Sequence, residues 1–579
     1  MSTLEELPDG PLRLGPLLRY VDDTSATIWV ETAESATVCV EAGDVSAEAR
    51  TFAVHGHHYA LVEVEGLPPG TATPYRLTVD GVQAWPEPPG RAGDSTRDST
   101  GVEPELPPSV IPTLKPGKPL RMAFGSCRVS MPHDEEGNEA FGVDALRAYA
   151  LRMAGVTGEE PERWPDLVVF LGDQVYADDT SPLMKDFIAA RRDPEQPPWT
   201  ELKDYQEYAH LYRLAWSDPA NRWLLSTLPS AMIFDDHDIR DDWNTSQTWK
   251  REMDATDWWH ERVVSGLGSY WVYQHLGNLS PQARAEDALW QRVATYDGPG
   301  ELDLTAEVDR LAEEVDREPT TYRWSYTRDF GTQARLVVVD SRAARVLDPE
   351  HRSMLDDDEL AWVDEQLQGD VDHLLIGTSL PVLLAPALHH VEALGEVLAQ
   401  GTLSRRTKRF GEWARQAADM EHWAAFQRGF QELTGMVVEV ATGQRGRAPR
   451  SVTFLSGDVH HSYLAEAWAD PAAGRELQSA VVQAVCSPIR NPLPTFMKVA
   501  IRLAGLGRAR PTGRLLLGRV KRSPLRWSMT RGPWYDNNLA VLELQSDRVR
   551  FWWSRGEVHD GDHGRATLHR VATVDVPVH

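Results

Sequence analysis

Cysteine is scarce in this chain: only Cys39, Cys127 and Cys486 occur, an odd number at wide spacing. That excludes a disulfide framework and fits a reducing compartment. Long apolar runs are missing too. No segment approaches about eighteen uninterrupted apolar residues, so no membrane-spanning helix is expected. The opening MSTLEELPDGPLRLG has no basic stretch, apolar run or twin arginine of a leader, and a cytoplasmic location is the expectation. Positive charge is also in short supply. Lys and Arg number 59 against 87 Asp and Glu, a formal net charge of −28. A phosphate backbone would be repelled over most of such a surface, which disfavours general nucleic-acid binding.

What is present describes a globular protein. Hydrophobic residues make up 41% and charged ones 25% of the chain, ordinary values for a molecule that buries a core. At 579 residues it exceeds one ordinary domain and predicts several cores, or one large α/β core with insertions.

Residues 1–84 read as all-β. TSATIWVET and ATVCVEA alternate with period two, YALVEVEGL and YRLTVDG follow at short spacing, and PPGT and DG supply turns. The pattern resembles a fibronectin-type sandwich with Trp29 in its core. Residues 85–118 are rich in Pro, Gly, Asp and Ser, as in a linker. From 119 to 579 short apolar runs alternate with longer connections: RMAFGSC, DLVVFLGD, PSAMIFDDHD, ARLVVVDSR, HLLIGTS and VTFLSGDVHH. Repetition of strand, connection and strand predicts an α/β domain with much parallel pairing. Two Trp-rich interruptions, about 248–321 and 386–450, are too long for bare loops and predict helical caps over the sheet edge. The segment 491–535 has ten Lys and Arg and no Asp or Glu, interleaved with apolar residues, and predicts a basic amphipathic helix pair.

Strand ends carry the chemistry. LVVFL, residues 167–171, is a continuous apolar run of the kind buried in parallel sheets. It ends in Gly172 and Asp173, followed by Tyr176. Ligands of open α/β sheets lie at such carboxyl ends. Three other runs end in GSC with Cys127, in FDDHDIRDD with Asp235, Asp236, His237, Asp238, Asp241 and Asp242, and in SGDVHHSY with Asp458, His460 and His461. This much charge sharing one crevice needs cations to offset repulsion and desolvation. A carboxylate such as Asp173 can bridge two ions. Phenolate ligation by Tyr176 near neutral pH calls for a strong Lewis acid, naturally Fe3+, and a Cys127 thiolate is compatible with it, though a thiolate alone would also suit zinc. Asp458 and His460 lie on one side of an extended chain, which sends His461 the other way into a structural place.

The block GDQVYADD is similar to the GDxxYxD block of purple acid phosphatases and the wider calcineurin-like metallophosphoesterases. The ordered set FGSC, GDQVYAD, DDHD and SGDVHHSY resembles the PhoD-like (alkaline phosphatase D) family more closely. The resemblance implies a metallophosphatase-like α/β/β/α sandwich behind the β-sandwich. It implies an iron site made of Cys127, Asp173, Tyr176 and His460, with Asp173 bridging to a second site completed by Asp458 and one of Asp236, Asp241 or Asp242. The more anionic second site favours Ca2+, with Mn2+, Zn2+ or Mg2+ as alternatives. The implied reaction is hydrolysis of phosphate mono- or diesters by a metal-bound hydroxide at a dinuclear centre. His237 would protonate the leaving group or stabilise phosphoryl oxygens, and Arg128 and Arg490 would grip them.

Small phosphoesters are therefore the expected substrates. The basic stretch 491–535 also suggests peripheral contact with anionic lipid. Two other readings stay open, a phospholipase D-like phosphodiesterase acting on lipid or nucleotide diesters and a non-catalytic metal-binding protein of the same fold. The oligomeric state is not legible.

Overall fold

A computed structural model describes residues 10–87, 106–158, 163–399, 421–471, 474, 476–493 and 521–578. The amino-terminal region is a two-sheet sandwich. One sheet pairs Leu12–Val21, Ser25–Thr32, His57–Glu65 and Phe52–Val54; the other is built on Val45–Arg50, Thr37–Ala42, Ala72–Val79 and Val82–Trp85. Alternation places Ile28, Val30, Val38, Val40, Val62 and Leu77 between the sheets. Trp29, on the opposite face, is buried outside the sandwich core. Its ring lies 5.2 Å from that of Tyr273, in the next domain. The strand Ser25–Thr32 is thus covered on both faces, because the sandwich packs directly on the body that follows.

Two expected boundaries shift. Within the expected linker, Val110–Pro112 pairs with Ala72–Val79 and so belongs to the sandwich; residues 88–105 lie outside the described residues. Leu302–Asp303, inside the first insertion, pairs with Phe52–Val54 and extends a sandwich sheet.

The body has two facing sheets. The first runs in the order Ser230–Ile233, Leu167–Leu171, Arg121–Gly125, Asn538–Leu544, Arg548–His559, Asp562–Pro577, its first three strands parallel. In the second, Ala334–Val339, His373–Thr378, Ser451–Ser456 and Ala480–Val485 are parallel, flanked by antiparallel Tyr326–Phe330, Ser462–Ala469 and Leu525–Trp534. Phe124, Val169 and Phe551 of the first sheet meet Leu336, Leu375, Leu455 and Val482 of the second in one core. Helices cover the outer faces and make the fold an α/β/β/α sandwich. The apolar runs are buried on both sides, which is why they show no alternation.

Both insertions are helical, but they do not merely cap an edge. Trp259–Tyr270, in the first, is buried against the helices Tyr205–Trp216 and Thr305–Arg317, and Gln427–Ala441, in the second, covers the outer face of the second sheet through Phe430, Leu433 and Val437. Residues 400–420 lie outside the described residues. The expected helix pair at 491–535 is corrected in part: Leu525–Trp534 is a strand hydrogen-bonded to Ser462–Ala469, its alternating residues suiting a sheet edge. Residues 494–520 lie outside the described residues. Among the described residues, no helix is long and apolar enough to cross a membrane.

Candidate metal centre

Parallel pairing of Arg121–Gly125, Leu167–Leu171 and Ser230–Ile233 brings three strand ends together, and Ser451–Ser456 brings a fourth from the facing sheet. Each chain must turn sharply there. Gly172 does so at φ 107°, and a Cβ on it would stand 2.7 Å from the Asp235 Cβ. The chemistry-bearing residues themselves take left-handed conformations: Cys127 at φ 58°, Asp173 at 46°, Asp458 at 62° and His460 at 49°. Such backbone is unfavourable for residues other than glycine and clusters where side chains must be aimed. It also corrects the reading of Asp458–His460 as extended chain. The His461 ring stacks 5.5 Å from that of Tyr463, and its Nδ1 lies 2.6 Å from the Val459 carbonyl oxygen.

The Asp173 carboxylate lies at the meeting point. Its Oδ2 is 3.3 Å from Cys127 Sγ and 3.4 Å from Tyr176 Oη, and the Asn491 amide donates to the same phenol at 3.1 Å. Carboxylate oxygens of Asp173, Asp235, Asp236 and Asp458 fall within 4.8 Å of one another. Ligand atoms of Asp236, His237 and Asp241 form a second group of the same tightness toward solvent.

Burial of so many acids has electrostatic consequences. Burial, with Asp235 and Asp236 adding to it against the opposing charge of His237, raises the Asp173 carboxyl well above the usual carboxylate range. Burial likewise pushes the Cys127 thiol and the Tyr176 phenol up, and neighbouring negative groups reinforce both shifts. His460 is held down at about 4 by burial, so its imidazole is neutral at neutral pH. His237 shows the reverse: burial opposes its charge, but Asp178, 2.9 Å from Nδ1, outweighs it and raises the pKa. Asp173 Oδ1 and Asp235 Oδ2 are buried without a hydrogen-bond partner among the described residues. Buried carboxylate oxygens left unpaired are costly, and a cation among these donors would satisfy them. The donor set therefore fits metal ions.

Two expected residues do not belong. Arg128 points away from the cleft, its Nε and Nη2 bonded to Asp144 at 2.9 and 2.7 Å and its Nη1 to the Ala215 carbonyl at 2.8 Å. Arg490 is fully buried and donates to the carbonyls of Gly142, Met131 and Pro132 and to Asn138 Oδ1. Both guanidiniums are buried among these acceptors, away from solvent. They fix the loops behind Cys127 instead.

Other residues join the cluster. Arg342, beyond the strand Ala334–Val339, forms ion pairs with Asp235, Asp236 and Glu421 inside the acidic cluster. His422 lies between Asp458 Oδ2 at 3.4 Å and Glu392 Oε1 at 2.9 Å. In VVVDSR the sequence reads Asp340 and Arg342 as a pair that fixes a loop; the Asp340 carboxylate does accept the Arg342 backbone amide at 2.7 Å, but the guanidinium goes to the acidic cluster. Glu392 and His422 sit in an insertion with no strand pattern, so no local signal marked them.

Comparison with known proteins agrees with this geometry. Residues 9–97 match the family model of a domain of unknown function, DUF7800. The solved structure of PhoD superposes with a TM-score of 0.54 over 98% of this chain and 93% of that one, at 14% sequence identity, a likeness of fold. No curated protein sequence matches significantly. Residues 154–499 match the family model of PhoD-like phosphatases and include the Asp173, Asp236 and Asp458 blocks; with well over half the chain so matched, the protein belongs to the PhoD-like phosphatase family and is a phosphatase.

Proposed function

We propose that this cleft hydrolyses phosphate mono- or diesters and that its donors, Asp173 foremost, would hold a pair of cations. The observation that carries the reading is the buried Asp173 carboxylate, in contact with Cys127 and Tyr176 and clustered with Asp235, Asp236 and Asp458, one oxygen lacking a partner. Cys127, Asp173, Tyr176 and His460 would hold iron. Asp173, Asp458 and Asp236 or Asp241 would hold a divalent ion such as Ca2+, for which all-oxygen donors are suited. When bound, such ions supply Lewis acidity that activates water and neutralises charge on a phosphoryl group.

The chain's own residues do the rest. Asp178 occupies His237 Nδ1, which leaves Nε2 facing the open side near Asp241. A proton on Nε2 can pass to the departing alkoxide, and the protonated ring can hold an equatorial phosphoryl oxygen. The Tyr176 ring, with its centroid 4.7 Å from that of His237, restricts the imidazole's orientation. Metal content and a visible spectrum test the proposal. Iron with a phenolate charge-transfer band that vanishes in Tyr176→Phe supports it; colourless protein without stoichiometric metal refutes it.

A lipid diester is the second reading, favoured by a surface feature. Trp468, 45% exposed, lines a cavity of about 580 Å³ with Lys521, Arg522, Arg526 and His390, a basic and aromatic patch on an acidic protein. Asp470 pairs with Arg522 and Arg526, leaving the patch net positive. Such a surface suits anionic headgroups. Retention on phosphatidylglycerol vesicles but not phosphatidylcholine vesicles at low salt, lost in Trp468→Ala/Arg526→Glu, is the expected result. Equal binding to both overturns it. Turnover of bis-p-nitrophenyl phosphate against the monoester separates diesterase from monoesterase chemistry.

A further inference from the structure

Arg19 lies in the first sandwich strand and is fully buried against the body. Its acceptors are neutral: Nη2 donates to the Gln274 carbonyl at 2.6 Å and to Asn278 Oδ1 at 3.2 Å, and Nη1 lies 3.3 Å from the Met232 sulfur. Burial, with Arg328 adding to it, pushes its pKa down to about 9. A cation kept there at such cost has a role that apolar packing would not fill. Gln274 belongs to the π-helical turn Trp271–His275 and Asn278 to the short 3-10 turn Leu276–Asn278, which continue the helix Trp259–Tyr270 to the point where the helical run ends. Arg19 donates to carbonyls of these closing turns, those of Tyr273 and Gln274; the final carbonyls of a helical run are the ones that side chains commonly satisfy. A Cβ on Gly277 would fall on the Arg19 side chain, so only glycine leaves that guanidinium room.

The same turns continue to the metal centre. Gln274 Nε2 donates to Asp238 Oδ1 at 3.0 Å, and Asp238 Oδ2 accepts the Asp235 amide at 3.0 Å. The backbone amides of Asp173 and Val175 also face the Asp238 carboxylate and favour its charged form. Asn278 brackets the strand leading to Asp235, accepting from the Met232 amide at 2.9 Å and donating to its carbonyl at 2.6 Å.

We propose that the amino-terminal sandwich is a working part of the metal centre, and that Arg19 is a positioning residue acting through Gln274 and Asp238 on the loops that carry Asp173 and Asp235. The sandwich's role is then to hold two clustered carboxylates in register across a domain boundary. The proposal rests on the reading above for the substrate of its assay and for the cluster's binding of Ca2+.

The test compares Arg19→Met, Arg19→Lys, Gly277→Ala and Tyr75→Phe in the full chain, by kcat and KM on p-nitrophenyl phosphate and by calcium titration. Tyr75 crosses the same boundary, donating to the Ser226 carbonyl at 2.8 Å, but has no link to Asp238. Arg19→Met and Gly277→Ala are expected to lower kcat about 10- to 100-fold and weaken calcium binding, with KM changed by no more than about 2-fold. Arg19→Lys restores part of the loss, and Tyr75→Phe lowers the melting temperature while kcat stays. Arg19→Met combined with Gln274→Leu should be no worse than either alone, because both break one chain. Multiplying losses, or kcat and calcium affinity that stay at wild-type values in folded Arg19→Met or Gly277→Ala, overturn the proposal. A wild type that turns over no phosphoester counts against the function instead, and calcium affinity alone then decides.

Discussion

The Arg342 guanidinium lies 3.1 Å from Asp236 Oδ1 and also pairs with Asp235 and Glu421, all of them buried. It is a fixed positive charge built into a site that otherwise collects carboxylates. Replacing it with Met would strand those acids without a partner, a situation that costs about 3–5 kcal/mol. Urea unfolding of metal-free Arg342→Met should show a loss of that size.

Asp173→Asn should separate function from stability. Its carboxyl is raised by burial and has one oxygen unpartnered, so the ionised form is a liability without metal. The neutral amide is expected to leave metal-free protein unchanged or more stable by about 1 kcal/mol while abolishing hydrolysis and lowering bound metal. Calorimetry beside elemental analysis reads both; a destabilised metal-free variant would count against the liability.

His237→Gln should lower kcat about 100-fold or more with esters of poor leaving groups and much less with p-nitrophenyl esters, which depart without a proton. Asp178→Asn removes the partner at Nδ1 and should lower kcat by a smaller factor. Equal losses on both ester types would deny His237 the acid role.

Arg128→Ala leaves the buried Asp144 carboxylate unpaired and should cost about 3–5 kcal/mol. KM should stay near the wild-type value, because Arg128 is committed to Asp144 and the Ala215 carbonyl. Arg490→Lys should behave likewise with a smaller loss. A large rise in KM without destabilisation would restore the substrate-gripping role to either residue.

Below neutral pH each buried histidine adds its own term to the slope of stability. His389 packs against Phe430 and Trp527, and burial, then His390, pushes its pKa down to about 3. Unfolded histidine titrates near about 6.5, so between those values the unfolded chain binds the extra proton. The stabilising contribution is complete above about 6.5 and is lost as pH falls toward about 3. His389→Leu should flatten the slope there by about 1.4 kcal/mol per pH unit. Urea midpoints at pH 7 and 5 would show it.

Much of this protein was determined by sequence alone. Buried parallel strands reveal themselves as short apolar runs, and the residues closing them announced Cys127, Asp173, Tyr176, Asp236 and Asp458, because the type of side chain at a strand end is local information. The period-two pattern likewise marked the sandwich. Only the tertiary structure decided the pairings. Arg128 and Arg490 sit next to site-forming blocks and looked like phosphate ligands, but a guanidinium's role is fixed by the acceptors that surround it, and theirs are carbonyls and Asp144 from distant segments. Arg342 and His422 entered the site for the same reason, through carboxylates far away in the chain. The basic strand Leu525–Trp534 looked helical because its charge said nothing of the edge of Ser462–Ala469 that supplies its hydrogen bonds. Residue chemistry is written locally, while the choice of partner depends on long-range packing, which composition and periodicity do not encode.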